Sequence, residues 1–209
     1  MSAELMLEST STSLLIIEER KSKDIVIGVP HHAPAGIVKL PCHRDSDENA
    51  GFLGRHVAEK LDCCSIIACN YRIDVNKYFR SDYTMQIAQW NPKILVEIHG
   101  HGGASAKYDI EISSGSSEND KHSKKLAEKL FNKFSQNHNL SDITVCGEFD
   151  KIYFKASDSI TIKDGRWIPF HIELPAKLRK PTDGNTGKPS ALAYTFCDYL
   201  VESLREIVL

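Results

Sequence analysis

Two stretches of this chain end an apolar run on histidine: Val29-Pro30-His31-His32 and Val96-Glu97-Ile98-His99-Gly100-His101-Gly102-Gly103. Imidazole nitrogen is a good zinc ligand. Hydrolytic zinc sites usually take three protein ligands from histidine and carboxylate and leave a fourth position for water. The carboxylate is expected from Asp45-Ser46-Asp47-Glu48-Asn49, which follows His31 across a polar loop and stands where a helical pattern begins. Glu48 is the expected acidic ligand beside His31 and His99, with Asp47 as the alternative. A competing reading gives the same acids a structural job, with Asp45 as a helix N-cap and Glu48 reaching back to it in a capping box.

Two further segments could serve such a site. His171-Ile172-Glu173-Leu174-Pro175 closes another apolar run. Glu173 there could act as general base, taking a proton from water as it attacks a carbonyl and passing it to the leaving amine. Asn70-Tyr71-Arg72-Ile73-Asp74-Val75-Asn76-Lys77 follows the run that ends at Cys69. Arg72 could grip a substrate carboxylate through paired hydrogen bonds or stabilise an oxyanion. Asn76 could donate to the same group, and Asp74 could hold Arg72 in place. His32 and His101 could replace a chosen ligand or act behind it, and His171 shares a strand face with Glu173.

These residues meet only if the fold delivers them to one edge. Leu5 to Glu8, Leu14 to Glu18, Asp24 to Val29, Ser65 to Cys69, Lys93 to His99 and Asp109 to Ser113 read as strands. Helical spacing marks Asp47 to Leu61, Asp82 to Trp90, Lys121 to Phe134 and Ser190 to Ile207. Pro30 to Asp45 reads as a long polar loop. Ile160 to Ile162 and Trp167 to Leu174, joined at Asp164-Gly165, read as a hairpin. Alternating strands and helices predict an α/β sandwich with a largely parallel central sheet, made mixed by the hairpin. In such sheets ligands bind beyond the carboxyl ends of the strands.

Hydrophobic residues make up 41% of the chain and charged residues 26%, which suits one packed domain over residues 1–209. With 26 Lys and Arg against 28 Asp and Glu, the net charge is −2 and no basic tract marks a nucleic-acid partner. No apolar run approaches the roughly 18 residues of a membrane span. The first residues are polar and acidic where a signal peptide would be basic and then apolar, so a cytoplasmic protein is expected. The six cysteines form no CxxC pair, which predicts free thiols and no cysteine-based zinc knuckle.

Taken in order, Val29-Pro30-His31, Asp45 to Asn49, Arg72-Ile73-Asp74-Val75-Asn76-Lys77, Glu97-Ile98-His99 and His171-Ile172-Glu173-Leu174 resemble the N-formylglutamate amidohydrolase family. That family is itself similar to zinc carboxypeptidases and aspartoacylases. The resemblance implies a three-layer α/β/α fold and a zinc-dependent amidohydrolase acting on a small acidic substrate, such as an N-acyl or N-formyl amino acid. It implies His31, an acid at Asp47 or Glu48, and His99 as zinc ligands, with Glu173 as the base. It implies Arg72 and the Asn76-Lys77 pair as carboxylate-binding groups. Lys77 stands where the family usually has arginine, and the two differ in bidentate recognition. Two other functions fit the same residues: a zinc carboxypeptidase-like peptidase with a more open cleft, and a non-catalytic metal- or ligand-binding protein. The loops Gly100 to Lys107 and Arg179 to Lys188 are expected to decide whether the site is lidded or open.

Overall fold

The structure is a computed structural model that describes residues 6–7, 13–35, 46–181 and 187–208. Among these residues eight strands form one sheet. They are β1 (Leu14–Glu18), β2 (Ser22–Ala33), β3 (Asp47–Glu48), β4 (Cys63–Cys69), β5 (Ile94–Gly100), β6 (Ile110–Ser113), β7 (Val145–Cys146) and β8 (Ile168–Leu174). The order is β1-β4-β2-β5-β8-β6-β7, with β3 beside β2. Strands β4, β2, β5 and β8 run parallel, while β1 is antiparallel to β4 and β6 to β8. The sheet is therefore mixed and mainly parallel.

Parallel neighbours need crossovers, and these carry helices to both faces. The helices are α1 (Ala50–Leu61), α2 (Asp82–Trp90), α3 (Asp120–Phe134), α4 (Ile160–Lys163) and α5 (Ala191–Val208). Leu53 and Val57 of α1, Leu126 and Leu130 of α3, and Phe196 and Leu200 of α5 pack against Ile27, Val96, Ile98 and Ile172 of the sheet. Tyr83, Ile87 and Trp90 of α2 pack on the opposite face against Val26, Ile66 and Leu95. Alternate residues of the central strands thus enter different layers, and the architecture is a three-layer α/β/α sandwich.

Four local expectations change. Strand β2 runs on through Pro30 to Ala33, because β3 lies beside His32 and Ala33 and supplies hydrogen-bond partners there. Helix α1 starts at Ala50, not Asp47, since Asp47 and Glu48 are taken by that pairing. The hairpin does not form: Ile160–Lys163 is helical, with the Ser159 hydroxyl accepting from Ile162 N at 3.3 Å. Strand β8 instead lies between β5 and β6. Of the expected strand Leu5 to Glu8, Met6 and Leu7 are helical and the flanking residues lie outside the described set.

Cys63, Cys64, Cys146 and Cys197 are free and buried, Cys69 is buried, and Cys42 lies outside the described residues. Among the described residues no helix is long and apolar enough to cross a membrane.

Leu130 has no exposure and ties α3 to the larger core. Leu130→Ala should cost about 2–5 kcal/mol through lost burial and the cavity it leaves. Equilibrium denaturant unfolding checks this, and an unchanged midpoint would contradict the assigned packing.

Candidate active site

The candidate site forms at the carboxyl ends of β2, β5 and β8. On β5, Ile94, Val96 and Ile98 enter the larger core, so Glu97 and His99 face the other side. On β8, Phe170, Ile172 and Leu174 do the same, leaving His171 and Glu173 beside them. The parallel register pairs Glu97 with His171 and His99 with Glu173. Acids and imidazoles therefore alternate along both strands and across them.

On β2 the simple alternation would send His31 into the core after Ile27 and Val29. A register irregularity between Val29 and His32 breaks the pattern at Pro30. Such a slip exchanges the two faces of a strand. His32 consequently sits in the core, with its ring against Phe52 and a ring nitrogen accepting from Gly51 N at 3.1 Å. Burial pushes its pKa down to about 4, so it is neutral. His31 faces His99, ring centroid to ring centroid 5.0 Å.

One carboxylate oxygen joins these two histidines. Asp47 Oδ2 lies 3.3 Å from His31 Nδ1 and 3.3 Å from His99 Nδ1. The far nitrogens face carboxylates as well. His31 Nε2 pairs with Asp74, and His99 Nε2 lies 3.5 Å from Glu97 Oε2, an ion-pair distance without hydrogen-bond geometry. Zinc-ligating histidines commonly present one nitrogen to the ion and the other to a carboxylate. His31, Asp47 and His99 have that arrangement and could hold a divalent ion.

Glu48 is not in this group. Successive residues on a strand point to opposite faces, and the Glu48 carboxylate instead meets Lys180 Nζ at 2.9 Å. The capping box is absent too: the N-cap position of α1 is Asn49 in a left-handed conformation (φ 64°) without a side-chain cap. Asp45 lies outside the described residues.

At His99, His31, Asp47 and Glu97 burial opposes the charged form, and opposite charges outweigh it. Burial opposes protonation of His99, but the carboxylates of Asp47 and Glu97 push its pKa up to about 10. Burial likewise works against His31, and Asp47 and Asp74 still raise it. Asp47 is held well below the usual carboxylate range by the two histidines, against the effect of burial. Glu97, with no exposure, is also lowered against its burial, by His99 and Thr161. Its Oε1 accepts from Tyr83 Oη at 3.0 Å and Thr161 Oγ1 at 2.7 Å, and its Oε2 from Asn76 Nδ2 at 3.4 Å. Tyr83 reaches it by crossing Gly28, where a Cβ would stand 2.1 Å from the phenol oxygen.

Glu173 is 7% exposed. Its Oε1 accepts from His171 Nε2 at 3.1 Å, while Oε2 is buried with no hydrogen-bond partner. Burial, and then the charge of His99, depress His171, so it stays neutral beside Glu173.

These groups line a cavity of about 540 Å³. Asn76 and Lys77 are on its wall. Arg72 is not: it is exposed on the loop, and Asp74 pairs with His31 and with Lys77 Nζ at 3.0 Å instead of holding it. His101 is not a ligand of this group; its Nε2 meets the Asp109 carbonyl at 2.8 Å and its ring stacks on Phe154. Of the loop Gly100 to Lys107, Gly100 borders the cavity. Residues 182–186 of the other expected lid lie outside the described residues.

The outer wall is instead Tyr153 to Ser159, a segment without any pattern in sequence that marks a site. It is held by Glu111, whose buried carboxylate accepts from the backbone N–H groups of Lys107, Tyr108, Tyr153 and Phe154. Arg179 is a second hidden support. It is 3% exposed and donates to the carbonyls of Glu48, His101 and Leu174, so one guanidinium ties together the segments carrying Asp47, His99 and Glu173.

The chain matches no protein-family model and no curated protein. Solved structures do match. A bacteriophage poly-gamma-glutamate hydrolase is 12% identical, with 99% of this chain and 95% of that chain covered and a TM-score of 0.60. A zinc-free form of YNDL is 14% identical, with 99% and 96% covered and a TM-score of 0.61. An N-formylglutamate amidohydrolase from Ralstonia eutropha JMP134 is 11% identical, with 92% and 96% covered and a TM-score of 0.49. The likeness is one of fold.

The geometry separates Asp47 from its neighbour. Asp47→Asn should weaken zinc binding more than Asp74→Asn, for which the loss of a carboxylate behind a histidine predicts roughly 10–100-fold. Glu48→Gln should leave zinc affinity unchanged. Competition titrations against a chromophoric chelator measure all three, and an effect confined to Glu48→Gln would overturn the assignment.

Proposed function

We propose that this protein is a zinc-dependent amidohydrolase that cleaves an amide bond of a small carboxylate-bearing substrate of the N-acyl amino acid type. One observation carries the reading. Two imidazole nitrogens converge on one oxygen of Asp47, and Glu173, whose buried Oε2 has no hydrogen-bond partner, lines the same cavity. A site that only held a metal or ligand would have no use for that second carboxylate.

The donor set suits zinc: two neutral-capable imidazoles and a carboxylate, with both histidines backed by acids. When bound there, zinc lowers the pKa of water and polarises a carbonyl. The chain supplies the rest. Glu173 takes the proton from the attacking water on Oε2 and delivers it to the amine nitrogen as the C–N bond breaks, ending as the carboxylate it began as. His171 occupies Oε1 and so leaves Oε2 without a partner to take the proton. Lys77 and Lys155 are cations of the wall, and Lys155 has no carboxylate partner among the described residues. They take the carboxylate-binding part for which Arg72 is badly placed, while the Asn76 amide is committed to Glu97 and Ser159.

The shared fold with a poly-gamma-glutamate hydrolase and with a protein described in a zinc-free form supports the reading. The partner in this reading is a small acidic molecule, not nucleic acid or membrane. A cytoplasmic setting belongs to it too, supported by the buried free cysteines, which suit a reducing compartment.

Glu173→Gln should lower kcat on N-acyl amino acids by about 10²–10⁴-fold while zinc content stays at the wild-type level. Full turnover in that variant would sink the proposed mechanism. Zinc binding should also depend on pH in a defined direction. Without an ion His99 keeps its proton up to about pH 10, so an incoming ion must displace it. Apparent affinity should rise roughly tenfold per pH unit through the neutral range. Chelator competition at several pH values checks the slope, and a flat profile contradicts it.

A further inference from the structure

The cavity holding Glu173 has a neighbour. A second hollow of about 470 Å³ is lined by Phe79, Ile160, Lys163 and Asp164, and it shares the wall Ser157-Asp158-Ser159 with the first. Three of its features lack an explanation within the fold. Phe79 is 73% exposed, although it closely follows the turn that carries Asn76 and Lys77. Lys163 is exposed at the end of α4 and has no carboxylate partner among the described residues, since the adjacent Asp164 is taken by Arg166 at 2.6 Å. Asp158 stands on the shared ridge without a cationic partner among the described residues.

We propose that the second hollow is a subsite for the part of the substrate beyond the scissile amide. The preferred substrate is then an N-acylated chain of at least two residues, not a single N-acyl amino acid. This rests on the amidohydrolase reading and adds the substrate's length and chemistry. Phe79 offers an apolar ring face to the side group of the second residue. Lys163 attracts a free terminal carboxylate lying beyond it. Asp158, on the ridge between the hollows, accepts from the amide N–H that crosses there and repels a chain bearing a carboxylate at every residue. The geometry matches a mainly neutral chain with an acidic end, and a uniform polyanion fits it poorly.

The test compares zinc-loaded full-length protein on an N-acetyl amino acid and an N-acetyl dipeptide, each with a free or an amidated carboxyl terminus. The dipeptide acid should have roughly tenfold higher kcat/KM. Phe79→Ala should remove that gain and leave the single-residue substrate unchanged. Lys163→Gln should remove the part of the gain that amidation also removes. Equal kcat/KM for both lengths in the wild type, or an equal loss on both in Phe79→Ala, would overturn the subsite. Absence of turnover on every substrate would count against the amidohydrolase reading. Calorimetric binding of the N-acetyl dipeptide to wild type and Phe79→Ala then decides the subsite separately: binding that depends on Phe79 retains it, and binding that does not depend on Phe79, or no binding at all, removes it.

Discussion

Glu97 is a carboxylate with no exposure to water, and a buried charge is tolerable only when its oxygens are paired. That requirement organises the polar layer. Tyr83 arrives from α2, Thr161 from α4 and Asn76 from the turn after β4, and each donates to this one group. His99 stands two residues along the same strand with its far nitrogen toward it. Helix α2 must approach closely enough for its phenol to cross β2, and the missing side chain at Gly28 allows it. Removing the Glu97 charge would leave these donors without their common acceptor, in the place where His99 needs support.

The two faces of the sheet divide the work. The face under α1, α3 and α5 holds a continuous apolar core from Ile27 to Leu204. The face under α2 has a smaller apolar cluster and gives its carboxyl-terminal end to acids and imidazoles. Close packing on one side makes a charged arrangement on the other affordable. Arg179 works at the seam. Its guanidinium fills the space beside Gly100, where a Cβ would lie 2.1 Å from it, and satisfies carbonyls at the ends of β3 and β8 and just beyond β5. The three strand ends that carry Asp47, His99 and Glu173 are thereby fixed relative to one another by a single buried group.

Much of this was legible in the residues before any coordinates. The apolar runs Lys93 to His99 and Trp167 to Leu174 already put His99 and Glu173 at strand ends, and the strand and helix order implied a largely parallel sheet. The errors have local causes. Residues Asp47 and Glu48 carry a helical hydrophobic pattern on their C-terminal side, and their pairing with β2 is a contact between distant segments that a pattern cannot show. Ile160 to Ile162 is β-branched and reads as a strand, yet the Ser159 cap turns it into a short helix. Arg72 belongs to a motif of which Asp74, Asn76 and Lys77 line the cavity, and the turn before Asp74 leaves it outside.

The sequence by itself determined the layer architecture and the residue types of the site, because alternation and apolar spacing depend on neighbours along the chain. Only the tertiary structure decided which acid meets the histidines. Strand pairing rotates Asp47 toward them and Glu48 away, and the irregularity at Pro30 turns His31 outward where simple alternation would have chosen His32. It also brought in Asp74, Glu111, Arg179 and the wall from Tyr153 to Ser159. Their roles come from hydrogen bonds between segments far apart in sequence, and spacing along the chain carries no signal for such contacts.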